Sequence, residues 1–299
     1  MKRIFTPFSI LLFIVFLDSC SKDETPSVPS STYTKVTLPY KQVTGVDANL
    51  LSLDLYHFGT SGATKPVVIY VHGGAWAIGD KANSITNKTN LFSSLGYVFV
   101  SVNYRLSPST ASTDPNRIKF PTHNEDVADA VKFVYDNIAA YGGDKQKIVL
   151  LGHSAGAHMV SLTGTSQQFL PTRGISLATL KGIASIDTEG YDVAGQCNEG
   201  NETYLNAFGN NSSDWTKASP ISQVVSGTTY PRFFIAKRGT NARIALSDDF
   251  ITKLQSVGVT VSQVTGNQYD HEGINDAIGA PNETIITEPL KTFLAQCFQ

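Results

Sequence analysis

Four short runs constrain this chain more than anything else in it: 66–71 (Pro-Val-Val-Ile-Tyr-Val), 97–102 (Tyr-Val-Phe-Val-Ser-Val), 147–151 (Lys-Ile-Val-Leu-Leu) and 180–186. Most of their positions are apolar in succession rather than alternately, and β-branched or aromatic side chains are common in them. A strand that is apolar on both faces must be covered on both, which a parallel sheet between two layers of helices provides. Segment 124–140 supplies part of such a layer, because Val127, Val131, Val134 and Ile138 fall on one helical stripe. Pro121 lies near its start and Gly142-Gly143 follow its end, as helix punctuation predicts. Segment 48–58 alternates enough for an early antiparallel strand. Farther on, the pattern predicts strands at 232–236 and 259–264 and helices at 247–257 and 285–295. The sum is an α/β chain with a mostly parallel, doubly wound sheet of about eight strands and helices on both faces. In such sheets ligands bind beyond the carboxyl ends of the strands.

Bulk properties close off other classes. At 299 residues the chain can bury a core without disulfide staples. A net charge of −2 and the lack of any block of like charges leave no footprint for nucleic acid and no basic face for anionic lipid. No repeat of solenoid or propeller period is present. Histidines and cysteines are scattered without zinc-like spacing, so neither a metal nor a cofactor is expected. Cys197 and Cys297 could pair in an oxidising compartment or remain two thiols, and the sequence leaves both open.

The amino end reads differently from the rest. Met1-Lys2-Arg3 is basic, and the mostly apolar run 5–17 is shorter than the roughly 20 residues a spanning helix needs. Its length and flanks are those of a secretory signal. Leu17-Asp18-Ser19-Cys20 resembles a bacterial lipoprotein cleavage box, with Asp18 an unusual occupant. That resemblance implies a leader at 1–19 and a lipid on Cys20 as the means of membrane attachment; the alternative is a plain signal peptide with an incidental cysteine. Ser21-Lys22-Asp23-Glu24 resembles the tag that directs some lipoproteins to the outer face of the outer membrane. Residues 20–32, rich in Ser, Pro and Thr, read as a tether, which leaves 33–299 as the folded domain.

Chemistry enters with Gly152-His153-Ser154-Ala155-Gly156. A bare G-x-S-x-G is a weak signal. This one follows the apolar strand ending at Leu151 and opens a helical segment at 155–162, the strand–turn–helix setting that exposes a nucleophilic serine on a tight turn. The flanking glycines are needed because a Cβ at either would collide with the neighbouring strand or helix. The second motif, His72-Gly73-Gly74-Ala75-Trp76, directly follows another apolar run. Consecutive glycines can turn backbone amides into a concavity for an oxyanion, so the expected donors are the amides of Gly73, Gly74 and Ala155. His72 and Trp76 are expected to shape that loop rather than react.

Together with Asn103-Tyr104-Arg105-Leu106-Ser107-Pro108 and Tyr141-Gly142-Gly143-Asp144, these motifs resemble the esterase/lipase branch of the α/β-hydrolases. The nearest groups are hormone-sensitive-lipase-like esterases, feruloyl-esterase-like proteins and kynurenine formamidases. Tyr204-Leu205-Asn206-Ala207-Phe208-Gly209 and Ala218-Ser219-Pro220 resemble their segment after the sixth strand. The resemblance implies the order nucleophile, acid, histidine, and only His158 and His271 follow Ser154. His158 lies one turn into a helix that must pack on the sheet, so His271, in Asp270-His271-Glu272-Gly273, is the expected base. The chain departs from its relatives at the acid. Where most carry an aspartate after the seventh strand, it reads Lys237-Arg238-Gly239-Thr240-Asn241-Ala242-Arg243, with no carboxylate. Asp187, one strand earlier, is placed like the acid of pancreatic-type lipases. Asp192 and an incomplete triad remain alternatives. Asp248 and Asp249 read as first-turn helix residues, and Asp126 as an anchor for its helix.

The expectation is therefore a serine hydrolase that cleaves a small-molecule or glycan carboxylic ester through an acyl-enzyme, displayed as an outer-membrane lipoprotein, with a small cap segment at 189–224 shaping its pocket. Cleavage of an amide by the same apparatus, or a non-catalytic surface-binding protein on the same fold, are the other readings.

Overall fold

The four apolar runs lie in the middle of one sheet, where both faces can be covered. The computed structural model describes Met1, residues 33–59, Gly62 and residues 64–299. Residues 2–32, with the leader, Cys20 and the tether read from the sequence, lie outside the described ones. The strands are β1 (Thr34–Pro39), β2 (Ser52–His57), β3 (Lys65–Val71), β4 (Val98–Val102), β5 (Gly143–His153), β6 (Leu180–Ile186), β7 (Arg232–Lys237) and β8 (Val261–Thr265), in the order β1-β2-β4-β3-β5-β6-β7-β8. The β1–β2 and β2–β4 pairs are antiparallel and every other pair is parallel. The helices are α1 (Thr86–Ser94), α2 (Thr122–Asn137), α3 (Ala155–Thr165), α4 (Val193–Asn198), α5 (Glu202–Phe208), α6 (Ser212–Ala218), α7 (Pro220–Gln223), α8 (Asn241–Ser256), α9 (Gly273–Asp276) and α10 (Thr287–Cys297). All of these elements lie in one compact unit, Thr32–Gln299.

Along β3, Val67, Ile69 and Val71 point into one apolar cluster, while Val68 and Tyr70 point into the other; β4 and β5 alternate in the same way. Residues of α2, α3 and α8 close the first cluster, and residues of α1 and α10 the second. Each aliphatic side chain buried this fully contributes about 1.5–3 kcal/mol relative to leaving it in water, which is why the central strands could be read from their composition. The stripe Val127, Val131, Val134 and Ile138 is buried as its spacing requires. Strand β1 escaped the sequence reading because it is an edge strand, where only Val36 and Leu38 pack partly on the core. Segment 48–58 is split: Asp47 accepts from the Asn49 amide at 2.9 Å and starts a short 3-10 turn, Ala48–Leu51, before β2 begins. Helix α8 starts at Asn241 rather than 247, because the Thr240 side chain caps it by accepting from the Arg243 amide. Asp248 and Asp249 are consequently mid-helix rather than first-turn residues, and Asp248 pairs with Lys237.

The two cysteines are free thiols, Cys197 in the cluster under α2, α3 and α8 and Cys297 in the one under α1 and α10. Burial pushes each thiol up to about 12.

The strand order locates the site. From β3 the chain crosses to β4 on one side, and β5 then takes the place on the other side of β3. The direction of winding reverses between β3 and β5, and a crevice opens beyond their carboxyl ends. His72-Gly73-Gly74 leaves the end of β3 there, and Ser154 follows the end of β5.

Lys88 on α1 is fully buried, donates to the Ser84 and Asn275 carbonyls at 2.8 Å each, and lies 5.0 Å from the centre of the Tyr70 ring. Burial pushes its ammonium down to about 7. Below that pH both folded and unfolded chains hold the proton, and the folded state bears the full cost of a buried charge. Between there and the ordinary lysine value the unfolded chain binds the extra proton, so this cost fades as pH rises. Denaturant unfolding of Lys88→Met beside the wild type should therefore show a difference that favours the variant more at pH 6 than at pH 9. A pH-independent difference would show that the ammonium is not destabilised by its burial.

Candidate active site

The turn after β5 holds Ser154 at φ 56° and ψ −120°, a conformation that costs a non-glycine residue on the order of 1–3 kcal/mol. Its surroundings are tight. A Cβ on Gly152 would come 2.3 Å from the Gly156 carbonyl oxygen, and one on Gly156 would come 2.0 Å from that of Val71. The two glycines thus let the start of α3 lie against β5 and β3. The Ser154 amide donates to the Ile186 carbonyl at 2.9 Å, and its own carbonyl accepts from the His158 amide at 3.0 Å. Both backbone groups are held, and the hydroxyl projects into the crevice.

His271 lies between β8 and α9 and joins the serine to an aspartate. Its Nε2 is 2.9 Å from Ser154 Oγ, and its Nδ1 is 2.6 Å from Asp187 Oδ2. A carboxylate only accepts, so Nδ1 carries the hydrogen and Nε2 of the neutral ring is left to accept the serine proton. Asp187 follows β6 at φ 49°, with its amide donating to the Ala236 carbonyl at 2.8 Å. The carboxylate on the histidine is therefore Asp187. Asp192 does different work: its side chain accepts from the Gly195 amide at 3.0 Å and caps α4. His158 is closed off as a base, since Nε2 donates to the Ala218 carbonyl at 2.8 Å, Nδ1 accepts from Trp76 Nε1 at 3.2 Å, and burial pushes it down to about 4. Asp126, fully buried, is gripped by Arg105 Nε and Nη2 at 2.7 Å each and anchors α2 away from the serine.

The glycine loop is packed against the nucleophile. A Cβ on Gly73 would come 3.0 Å from the Cβ of Ser154, and Gly74, at φ 106°, leaves no room for one because the Ile78 carbonyl oxygen would be 2.1 Å away. Among the described turns and loops the Gly73 and Gly74 amides donate to no backbone carbonyl. The Ala155 amide opens α3, where first-turn N–H groups have no partner within the helix. His72 stacks on Tyr104 with ring centres 4.5 Å apart and donates from Nδ1 to the Gly73 carbonyl at 2.7 Å, so it shapes the loop. Trp76 packs edge-on against His158, Tyr204 and Phe208, which fastens the loop to α3 and α5.

Three further residues were missed by the sequence reading. His153 donates from Nε2 to the His271 carbonyl at 2.8 Å and so fixes the loop that carries the base; burial pushes its ring down to about 3. Arg243 Nε donates to Asp187 Oδ1 at 2.9 Å and Arg238 Nε lies 2.7 Å from Asp187 Oδ2. Burial raises the Asp187 carboxyl, but the bonds from His271 and Arg243, with their charge, outweigh it and hold it below the ordinary carboxylate value. The only signal for these arginines was the carboxylate-free run 237–243 itself. Among the described residues, His153, Asp187 and His271 also form a group whose metal-type ligand atoms lie within 4.8 Å of one another, although His271 and Asp187 are already joined. A cleft of about 410 Å³ opens over Ser154 and His271, walled by Trp76, Glu189, Tyr204 and the two arginines.

The comparisons with known proteins bear on the family and the fold. A family model described as BD-FAE matches residues 53–246, well over half of the chain. The esterase LipQ of Mycobacterium tuberculosis is 40% identical over 105 residues, which are 35% of this chain and 23% of that protein. The probable isoprenylcysteine alpha-carbonyl methylesterase ICMEL2 of Arabidopsis thaliana is 37% identical over 126 residues, 42% of this chain and 28% of that protein. The chain thus spans about a quarter of the length of these curated relatives. Two solved structures share the fold, each with a TM-score of 0.70. Esterase B from Lactobacillus rhamnosis, inhibited by a tributyrin phosphonate, is 22% identical, with 89% of this chain and 86% of that one covered. A truncated carbohydrate esterase from gut microbiota is 18% identical, with 91% and 99% covered.

Asp187→Asn keeps the size of the side chain but loses the carboxylate that orients His271 and stabilises its cation, and kcat on an aryl ester should fall by about 10⁴-fold. Asp192→Asn is the control, because asparagine caps a helix as well as aspartate and should leave kcat within about threefold. The reverse ranking would assign the acid to Asp192.

Proposed function

The chain belongs to the BD-FAE family, and from that premise we propose that it is a serine hydrolase cleaving a carboxylic ester through an acyl-enzyme intermediate. One observation carries the reading: the continuous chain from Ser154 Oγ through His271 to Asp187, with spacings of 2.9 and 2.6 Å. In the forward half-reaction Ser154 Oγ attacks the ester carbonyl while His271 Nε2 takes its proton. The carbonyl oxygen becomes an oxyanion, for which the amides of Gly73, Gly74 and Ala155 are the donors. Removal of one such donor typically costs about 3 kcal/mol of transition-state stabilisation. The intermediate collapses when the alcohol oxygen leaves with the proton held on Nε2. Water then repeats the sequence on the acyl-enzyme, releasing the acid and restoring Ser154. The esterase names of the relatives LipQ and ICMEL2 support ester over amide as the bond cleaved.

The proposal extends to location. The basic start Met1-Lys2-Arg3, the apolar run 5–17 and the box ending at Cys20 support export and lipid attachment at Cys20, with 20–32 as tether and display at the outer membrane. An enzyme held this way would meet small or glycan esters outside the cytoplasm.

The purified protein should hydrolyse a short p-nitrophenyl ester, and Ser154→Ala should lower that turnover by about 10⁴-fold or more. Turnover unchanged in Ser154→Ala would refute the assignment, and no turnover in the wild type would favour a binding protein on this fold.

A further inference from the structure

Two guanidinium groups share the cleft with the nucleophile, and only one of them is fully engaged. Arg243 donates from Nε to Asp187 Oδ1 at 2.9 Å and from Nη2 to the Asp187 carbonyl at 3.4 Å, and its Nη1 pairs with Glu189. Arg238, whose side chain is 18% exposed, has one ion-pair partner among the described residues, Asp187 Oδ2, 2.7 Å from its Nε. That contact lacks hydrogen-bond geometry, and Nε is buried without a partner. The oxygen it approaches already accepts from His271 Nδ1 at 2.6 Å. Among the described residues the Arg238 side chain makes no hydrogen bond, although a guanidinium offers five N–H donors in a fixed fork. Of its donors only Nε is buried without a partner, and the side chain lines the cleft, where the acceptors of a ligand can reach it.

The setting is one that favours an anion. Arg238 precedes Gly239 and Thr240, which lead into the amino end of α8, a helix with no acidic residue in its first turn, and that end carries partial positive charge. The whole run 237–243 holds no carboxylate, and the two nearby, Asp187 and Glu189, are occupied by His271 and Arg243.

We propose that Arg238 binds a carboxylate of the substrate, so that the site acts by preference on esters carrying a negative charge a few bonds from the scissile bond. This rests on the hydrolase reading above. A planar carboxylate matches the fork of the guanidinium with two parallel N–H···O bonds, and its single charge suits the one guanidinium left to answer it. Arg238 is thus a specificity-determining residue rather than part of the relay.

Two matched pairs of esters test this. For a charge on the acyl side, mono-4-nitrophenyl glutarate is compared with 4-nitrophenyl valerate. For a charge on the alcohol side, the acetate ester of 4-hydroxybenzoate is compared with that of 4-hydroxybenzamide. In at least one pair kcat/KM for the charged ester should exceed that for the neutral one by about tenfold or more, as a charge-assisted bidentate bond implies, and the ratio should shrink with added salt. Arg238→Gln should bring the ratio to within about threefold, and Arg238→Lys should restore part of it. Because Arg238 also touches Asp187, Arg238→Gln can slow both esters alike; the ratio is blind to that loss. Wild-type ratios at or below one in both pairs, or a ratio unchanged in Arg238→Gln, would overturn the inference while leaving the hydrolase reading intact. Hydrolysis of none of the four esters would overturn both.

Discussion

The contact between the start of α3 and the strands beneath it is the constraint from which the rest of the site follows. Gly156 lies so close to the Val71 carbonyl, and Gly152 so close to the Gly156 carbonyl, that neither position can carry a Cβ without displacing backbone. The turn between them holds Ser154 at a positive φ. The turn points its hydroxyl away from the core and leaves the first amides of α3 without helical partners. Since β3 and β5 are neighbours at the point where the winding reverses, the same contact sets the glycine loop after β3 against the nucleophile. Backbone strain at Ser154 is sustained by the apolar packing on both faces of the sheet, far larger in sum than the local cost.

Asp187 and His271 depend on strands at one side of that point. Asp187 leaves β6, is fixed through its amide to the end of β7, and faces the loop after β8 that carries His271. His153, beside Ser154, grips that loop by its carbonyl, so one tight turn positions Ser154 and part of the support for His271. Placing the acid after β6 frees the end of β7 from supplying a carboxylate. The chain uses that end for Arg238 and, in the first turn of α8, Arg243; Arg243 helps to keep Asp187 ionised, and both bring positive charge to the edge of the cleft.

Much of this was legible in the sequence because the relevant signals are local. The central strands are buried on both faces and read as continuous apolar runs, and the elbow and the glycine loop are constrained by backbone sterics that only certain residues satisfy. Edge strand β1 was not legible, because an exposed edge needs few apolar residues. The early start of α8 was hidden because a threonine cap, not an apolar stripe, begins it. Asp187 was preferred to Asp192 on its place after the sixth strand alone, since the choice depends on which carboxylate meets a loop from a distant part of the chain. His153 and the arginines were invisible for the same reason: their partners are 118 residues away for His153 and 56 for Arg243.

Covalent labelling tests the central claim most directly. A fluorophosphonate reacts with a serine only where a base activates the hydroxyl and donors hold the phosphoryl oxygen, so it reports the assembled site rather than the motif. A single adduct is expected, mapped by peptide mass spectrometry to Ser154 and lost in His271→Ala. No adduct on the wild-type protein, or one carried by a different residue, would refute the assignment of Ser154.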